Sequence, residues 1–317
     1  MTTSTAPAAA PARAKPVTQL GDRIFAGAAQ GAGIFILAVL AGVAVFLIVQ
    51  ALPAIVSPAA ALPGGVGLVA YIFPLVFGTL LAAVIALIIA TPLAVAVALF
   101  ITHFAPRRLA QGLGYLIDLL AAVPSIVYGL WGVAVLAPAT LGLSAWLNTY
   151  LGWLPFFAGP VSATGRTMFV VGITLAVMIL PIITAVSREV FLQTPKLHEE
   201  AALALGATRW EMIRMAVLPF GRSGIISGAM LGLGRALGET MAVAIILSVS
   251  GAVTFNLISS SNPSTIAANI ALQFPDSTGV AVNTLIASGL VLFVITLLVN
   301  ALARYIINRR REFSGAN

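Results

Sequence analysis

Two opposite charges, Arg235 and Glu239, stand inside a predominantly apolar stretch that runs from residue 224 to residue 250. A charge near the centre of a bilayer costs about 2.5–3.5 kcal/mol on insertion scales, so its presence requires a function or a partner. The two residues are four positions apart, which places them on one face of a helix where they can pair. A guanidinium also presents paired N–H donors that match a tetrahedral oxyanion. The pair therefore indicates either a neutralised packing contact or a site on an anion pathway.

Small residues are expected on the same face of the helix, namely Gly224, Gly228, Gly232 and Gly238. Glycines at such spacing let two membrane helices pack closely, which suits the first interpretation. In the second interpretation the face borders a central pathway, where Arg235 attracts the anion and Glu239 prevents it from being trapped. A carboxylate accepts a hydrogen bond from a protonated anion and repels a fully deprotonated one. The second interpretation therefore includes the hypothesis that the pair favours phosphate over sulfate.

The overall composition indicates the solvent that surrounds these charges. Of 317 residues, 60% are hydrophobic and 8% are charged, whereas about a quarter of residues are charged in soluble domains. The chain is therefore predicted to be an integral membrane protein. Its lack of cysteine excludes disulfides and cysteine-ligated metals, and with two histidines neither a metal site nor a cofactor is expected in the chain. The basic residues cluster in loops rather than along one face, so no nucleic-acid partner is expected.

Six apolar runs are long enough to cross about 30 Å of hydrocarbon as helices, at about 20 residues per crossing. They cover residues 31–52, 72–101, 113–136, 168–186, 224–250 and 281–306. Backbone in lipid must satisfy its hydrogen bonds internally, and the sequence lacks the alternation typical of membrane strands. The predicted fold is therefore an all-α integral membrane protein with about six transmembrane helices. Pro92, Pro124 and Pro181 fall within spans two, three and four, where kinks are expected.

Basic residues alternate between the connecting segments, and this alternation predicts the topology. By the positive-inside rule both termini and residues 187–223 are cytoplasmic, and Arg166 is the one basic residue placed outside. Residues 1–24 are predicted to form a flexible cytoplasmic tail, because this region is rich in Ala, Pro and Thr. Residues 25–308 would then form the transmembrane domain, and residues 309–317 a basic cytoplasmic tail.

The cytoplasmic segment 187–223 interrupts the apolar pattern with five basic and four acidic residues. Pro195 suits a helix start and Gly206 a helix stop, while Leu197, Ala201 and Leu205 recur at helical spacing. The segment is therefore predicted to form two short helices around Gly206. Because its acidic and basic charges nearly balance, a protein partner is favoured over a lipid surface, on which Lys and Arg would dominate.

Part of this segment resembles the EAA loop of type I ABC-importer permeases, with Glu200-Ala201-Ala202, then Gly206, then Leu218-Pro219. One departure is Ala216, where the family pattern commonly has Ile. In that family the loop forms a coupling helix that docks in a groove of a cytoplasmic ATPase. The resemblance therefore implies a role in ATPase coupling for Glu200, Ala201, Ala202 and Gly206.

Two further stretches are similar to signatures of phosphate-specific ABC permeases. Residues 234–243 read GRALGETMAV and residues 123–132 read VPSIVYGLWG. Tyr128 and Met241 favour the PstC type of subunit over the sister PstA type. The resemblance implies that Arg235 and Glu239 act in transport, and Ser125 and Tyr128 are further candidates for the substrate pathway.

The same resemblance implies a complex in the plasma membrane of a prokaryote. Its other members would be a PstA-type permease forming a heterodimer with this chain, a cytoplasmic ATPase dimer that uses ATP and Mg, and an extracytoplasmic phosphate-binding protein. The chain has no Gly-rich loop followed by Lys-Ser/Thr, so it is expected to be a transport subunit without its own ATPase site. The alternative is an ion-coupled secondary anion transporter, which needs no docking loop and often shows internal repeats that this sequence lacks.

Overall fold

The computed structural model describes residues 20–311, with side chains described for residues 21–305. Within this part, one compact unit ends at Phe46 and a second begins at Leu47. The described residues of the first unit are helical and belong to α1 (Leu20–Val56). This helix starts before the predicted domain boundary at residue 25. The remainder of the predicted tails, residues 1–19 and 312–317, lies outside the described residues.

Among the described residues, five helices are long and apolar enough to cross a membrane, namely Gly21–Val56, Leu68–Phe104, Met168–Leu192, Arg209–Leu237 and Val280–Tyr305. A sixth crossing arises when the bent pair Arg107–Ala121 and Ser125–Ala139 is counted as one span. Between residues 20 and 311 the only strand-like pairing is an isolated bridge that joins Val249 to Asn262. The predicted all-α fold with about six spans is confirmed. The cytoplasmic position of both termini remains a prediction.

Prolines have different effects in the second and third crossings. α2 (Leu68–Leu99) contains Pro74 and Pro92 as a continuous helix and extends through a π turn to Phe104. The third crossing, predicted as one run over residues 113–136, is instead two helices that meet at 94°. These are α3 (Arg107–Ala121) and α4 (Ser125–Trp131), and α4 continues through a π turn into a last helical turn that ends at Ala139. Proline has no N–H and disfavours helix in the residue before it, so the chain bends at Pro124.

The centre of the second unit is α6 (Met168–Leu192), which follows the outer helix α5 (Leu141–Leu151). α6 packs against α2 and α3 and against the helix of the fifth crossing. Met168, Leu175 and Ile179 of α6 are almost fully buried. Pro181 lies inside this helix without interrupting it. α6 is therefore the element against which the second, third and fifth crossings pack.

The predicted fifth span, residues 224–250, is wrong as a single helix. The segment after α6 contains α7 (Lys196–Ala204) and α8 (Arg209–Met212), and α8 leads through a π turn into α9 (Leu218–Leu237). The helix ends at Leu237, and a short helix, α10 (Met241–Ile246), follows after three residues. Gly238 at the end of α9 has weak helix propensity, which favours a break here. The chain is then irregular up to α11 (Ile266–Gln273) and ends in α12 (Val280–Arg311).

The irregular segment, residues 247–265, contains buried polar side chains between Asn256 and Thr265, which the apolar pattern did not predict. Asn262 is fully buried, its Nδ2 donates to the carbonyl oxygens of Ser248 and Ser259, and its Oδ1 accepts from the backbone N–H of Met168. The segment also reaches α2, because an added Cβ at Gly78 would collide with the carbonyl oxygen of Ser264. Irregular backbone is tolerated at membrane depth only where protein or a water-filled cavity surrounds it.

Candidate functional site

The two stretches that resembled phosphate-specific permeases pack directly against each other. α4 and α10 cross so closely that a Cβ added to Gly129 would lie 2.9 Å from the Cα atom of Ala242. One turn later, a Cβ at Gly132 would lie 2.6 Å from the Cδ1 atom of Ile246 and 2.9 Å from the Thr174 hydroxyl. The short helix α10 of the second stretch therefore packs directly against Gly129 and Gly132 of the first stretch.

The predicted pairing of Arg235 with Glu239 inside one helix is wrong. Arg235 lies half-buried in the last turn of α9, and Glu239 lies beyond the end of that helix. Glu239 is 7% exposed, and its Oε1 accepts the backbone N–H of Ala242 at 3.1 Å. In the described part of the chain no ion pair within 4.0 Å joins the two side chains. Glu239 therefore caps the start of α10 by accepting a backbone N–H, and it does not neutralise Arg235 by direct contact.

Arg235 at the end of α9 and Tyr128 of α4 lie within electrostatic range of each other, but no hydrogen bond joins them among the described side chains. Tyr128 is 7% exposed, and its hydroxyl donates to the carbonyl oxygen of Leu120 at 2.8 Å. That hydrogen bond joins α4 to the end of α3 across the 94° bend. Ser125 is half-buried at the first position of α4. Tyr128 thus has a structural role that the sequence did not indicate. For Ser125 and Tyr128, a role in the substrate pathway remains a prediction.

The glycines of α9 form a packing seam, as in the first interpretation. Added Cβ atoms at Gly224, Gly228 and Gly232 would meet Val190, Ile183 and Ile179 of α6 at close range. The expectation that these glycines border a pathway is therefore wrong, because α6 occupies the space beside them. Gly238 differs from the others, since it is exposed and an added Cβ there would meet no other element closely.

The surface next to Arg235 is left uncovered by the described part of the chain. Leu231, one turn before Arg235, is 59% exposed, and Gly234 and Gly238 are also exposed. On the neighbouring elements, Leu130 of α4 and Met241 of α10 are 56% and 43% exposed. A cation on an open, glycine-containing surface within the membrane span can receive an anion or a second membrane subunit.

The helix–glycine–helix prediction for residues 187–223 is confirmed. Gly206 follows the end of α7 with a φ of +87°, and the N–H of Ala207 donates to the carbonyl oxygen of Ala202 at 3.2 Å. This is a Schellman ending, which favours glycine because other residues are strained at positive φ. Glu200 and Ala201 are exposed and Ala202 is half-buried. Leu197 and Leu205 are 73% and 91% exposed, so the apolar side of α7 faces away from the described chain.

The base of this segment is firmly attached to the membrane helices. The hydroxyl of Thr208 and the carboxylate of Glu211 form a capping box that starts α8. Met212, Ile213 and Val217 are buried in one apolar cluster with Phe191 at the end of α6. The Glu199 carboxylate also lies 3.6 Å from the His103 ring at the end of α2. A force applied to α7 would therefore be transmitted to α2, α6 and α9.

One residue of the site that sequence reasoning missed is Arg166. Its guanidinium donates to the carbonyl oxygens of Ile245 and Ile246 at the end of α10. These contacts join positions 79 and 80 residues apart, so no local pattern could have indicated them. The only signal in the sequence was that Arg166 is an exception to the positive-inside rule, since it is the one basic residue predicted to lie outside.

Comparison with known proteins agrees with this geometry. Residues 90–312 match the family of binding-protein-dependent transport system inner membrane components. The chain belongs to this family. The family match includes both packed stretches, the segment around Gly206 and all of α6 to α9.

Three curated relatives are similar over three quarters or more of the chain. The phosphate transport system permease protein PstC 2 of Mycobacterium tuberculosis is 46% identical over 298 residues, which is 90% of this chain and 91% of the relative. PstC of Mycobacterium leprae is 46% identical over 301 residues, or 92% of this chain and 94% of the relative. PstC of Xylella fastidiosa is 42% identical over 245 residues, or 76% and 74% of the two chains.

Solved structures of ABC importers share the fold. A chain of a bacterial ABC transporter that imports the acidic polysaccharide alginate matches with a TM-score of 0.56 at 16% identity, covering 90% of this chain and 99% of that chain. A chain of the methionine ABC transporter MetNI in an inward-facing conformation matches with a TM-score of 0.51 at 14% identity, covering 76% and 95%. The protein is thus a multi-pass inner-membrane transport component with the type I importer permease fold, and it is not itself a catalyst.

Proposed function

We propose that this chain is the permease subunit of an ATP-driven importer of inorganic phosphate. The observation that carries the proposal is the packing of VPSIVYGLWG against GRALGETMAV, which leaves Arg235 half-buried beside an open surface. Among the side chains described for residues 21–305, no carboxylate lies within 4.0 Å of Arg235. The names of the curated relatives agree with this substrate. A guanidinium held in this way attracts a tetrahedral oxyanion and binds two of its oxygens together.

The open surface around Arg235 implies a second membrane subunit. Exposed Gly234 and Gly238 allow another helix to approach closely, and the apolar side chains around them suit burial against protein. A homologous PstA-type permease on this surface would complete a pathway between the two chains. Arg235 would then face that pathway from one side, with Glu239 close to it. The phosphate-binding protein would deliver its ligand at the extracytoplasmic end.

Energy for import would come from a cytoplasmic ATPase dimer docked on α7. The exposed Leu197 and Leu205 offer an apolar contact, and the surrounding charges offer specificity. ATP and Mg would be bound by that ATPase, and this chain would contribute no nucleotide site. Motion of α7 would reach the pathway through the buried cluster around Ile213 and the start of α9.

Reconstitution of the complex tests the proposed function. The chain is co-purified with the products of its neighbouring genes and placed in proteoliposomes that contain ATP. We expect uptake of radiolabelled phosphate that requires both ATP and the binding protein, with sulfate competing weakly. Phosphate uptake driven by an ion gradient in the absence of ATPase would instead support a secondary transporter. Uptake of another solute and not of phosphate would refute the substrate.

Gly206 provides a sharp test of coupling. At a φ of +87° a residue with a side chain is strained by about 1–2 kcal/mol, and valine is worse because it is β-branched. Gly206→Val is expected to displace the turn after α7 and to lower the amount of ATPase that co-purifies by about tenfold. Gly206→Asn is the matched control, because asparagine tolerates positive φ and should retain most of the ATPase. If Gly206→Val recovers as much ATPase as the wild type, the turn at Gly206 is not needed for ATPase docking.

A further inference from the structure

The guanidinium of Arg166 holds the end of the short helix α10. Its Nε donates to the carbonyl oxygen of Ile246 at 3.1 Å, and its Nη2 donates to the carbonyl oxygen of Ile245 at 2.8 Å. Arg166 is half-buried. In the part of the chain with described side chains, no carboxylate lies within 4.0 Å of it. The helix end is therefore its principal electrostatic partner.

These carbonyl groups need an external donor. The last carbonyls of a helix have no partner within the helix, and the chain becomes extended at Leu247 directly after α10. Ile246 is fully buried, so water is a poor substitute, and an unsatisfied buried carbonyl is destabilising. The positive charge also complements the negative end of the helix dipole. Arg166 supplies both the donors and the charge.

The backbone on either side of Arg166 is fixed to two other helices. Gly165 has a φ of +71°, and an added Cβ there would collide with the carbonyl oxygen of Ala137 at the end of the α4 segment. Thr167 caps α6, with its hydroxyl accepting the N–H of Val170 at 3.4 Å. Arg166 therefore stands where the end of α4, the start of α6 and the end of α10 meet.

The other end of α10 is held by Glu239, which accepts the N–H of Ala242. α10 has six residues and is about 9 Å long, so it behaves as a short rigid rod. The start of α10, capped by Glu239, lies next to the break that follows Arg235. The end of α10, bound by Arg166, lies where the end of α4 and the start of α6 meet. A displacement of one end of this rod moves the other.

We infer that Arg166 is a positioning residue of the transport pathway. By fixing the outer end of α10 against α4 and α6, it sets the position of α10 on Gly129 and Gly132 and thereby the geometry of the break between Arg235 and Glu239. This inference rests on the proposed function for its transport consequence. Arg166, the one basic residue predicted to lie on the outer side, would thus determine the position of residues that line the pathway.

Arg166→Gln and Arg166→Lys are compared in the assembled complex. Glutamine loses the charge and the two-donor fork, and we expect the maximal rate of phosphate uptake to fall about tenfold while the KM changes less than about twofold. Lysine keeps the charge and donates to one carbonyl at a time, so a fall of about threefold is expected. Rescue by lysine separates the electrostatic task from simple packing.

A second readout does not depend on the substrate. The chain contains no cysteine, so Met241→Cys introduces one thiol at the start of α10, and its modification by a water-soluble methanethiosulfonate can be followed by mass spectrometry. Arg166→Gln should change the modification rate several-fold at position 241. The same reagent at Leu143→Cys, an exposed position on α5, should react at an unchanged rate.

The outcomes are decisive in each case. An Arg166→Gln complex with unchanged labelling at position 241 and unchanged uptake overturns the inference. If Arg166→Gln does not assemble, Arg166→Lys decides by the same two measurements. If the complex transports another solute, the labelling result still reports on Arg166, so failure of the proposed function and failure of this inference are distinguishable.

Discussion

Arg235→Gln is expected to lower the maximal rate of ATP-driven phosphate uptake on the order of 100-fold in the assembled complex. Arg235 is half-buried, has no carboxylate within 4.0 Å among the described side chains, and lies beside an open surface within the span. Its charge is thus available to attract the anion, and glutamine removes it while keeping a polar side chain. Arg235→Lys should retain intermediate uptake, because the charge remains without the two-donor geometry. Initial rates of radiolabelled phosphate uptake into proteoliposomes measure both effects.

Arg222→Gln is the matched control for this experiment. Arg222 lies on the same helix α9, but it is exposed and close to the N-terminal end of that helix, far along it from Arg235. Its replacement should leave uptake close to that of the wild type, and size-exclusion chromatography should show intact assembly for all variants. Uptake by an assembled Arg235→Gln complex within twofold of the wild type would contradict a pathway through this residue.

Gly129→Ala is expected to destabilise the contact between α4 and α10 and to lower uptake at least about tenfold. The added Cβ would lie 2.9 Å from the Cα atom of Ala242, and a backbone atom cannot move aside as a flexible side chain does. The two helices must separate, at a cost of about 1–3 kcal/mol typical of overpacking. The free energy of unfolding in detergent and the uptake rate should therefore fall together.

Gly142→Ala serves as the control for the added methyl group. Gly142 is exposed in the helix α5, and an added Cβ there meets nothing within 4 Å. Alanine has the higher helix propensity, so this variant should be as stable as the wild type or more stable. If Gly129→Ala is equally harmless, α4 and α10 are less closely packed than the structure indicates. The proposed site, which depends on this packing, would then be contradicted.

The sequence predicted the elements of this protein better than their connections. Long apolar runs require helices in lipid, so the number of crossings and the two short helices around Gly206 followed from composition and spacing. The bend at Pro124 was expected as a kink, but its size of 94° was not. The Tyr128 hydrogen bond to Leu120 spans this bend, and no periodicity in the sequence reveals such a contact.

The site was predicted in its residues and misjudged in its geometry. Residues 224–250 are predominantly apolar, so a continuous helix was the simplest interpretation, and the spacing of Arg235 and Glu239 then implied a pair. The tripeptide Gly238-Glu239-Thr240 contains poor helix formers, with a carboxylate that can cap a new helix, and this signal was the one available for the break. Arg166 and Asn262 act through contacts between distant parts of the chain, which a single sequence does not encode in any readable pattern.

The buried polar residues of the irregular segment, between Asn256 and Thr265, have a consequence for how the protein folds in the membrane. A translocon releases helices into lipid because their backbone groups are already satisfied, and an irregular peptide has no such independence. Asn262 finds its partner at Met168, and the N–H of Ile266 finds the Thr79 hydroxyl, so α2 and α6 must already be in place. These residues therefore reach their final conformation only after α2 and α6 have come together, so their folding depends on helix association and not on insertion alone.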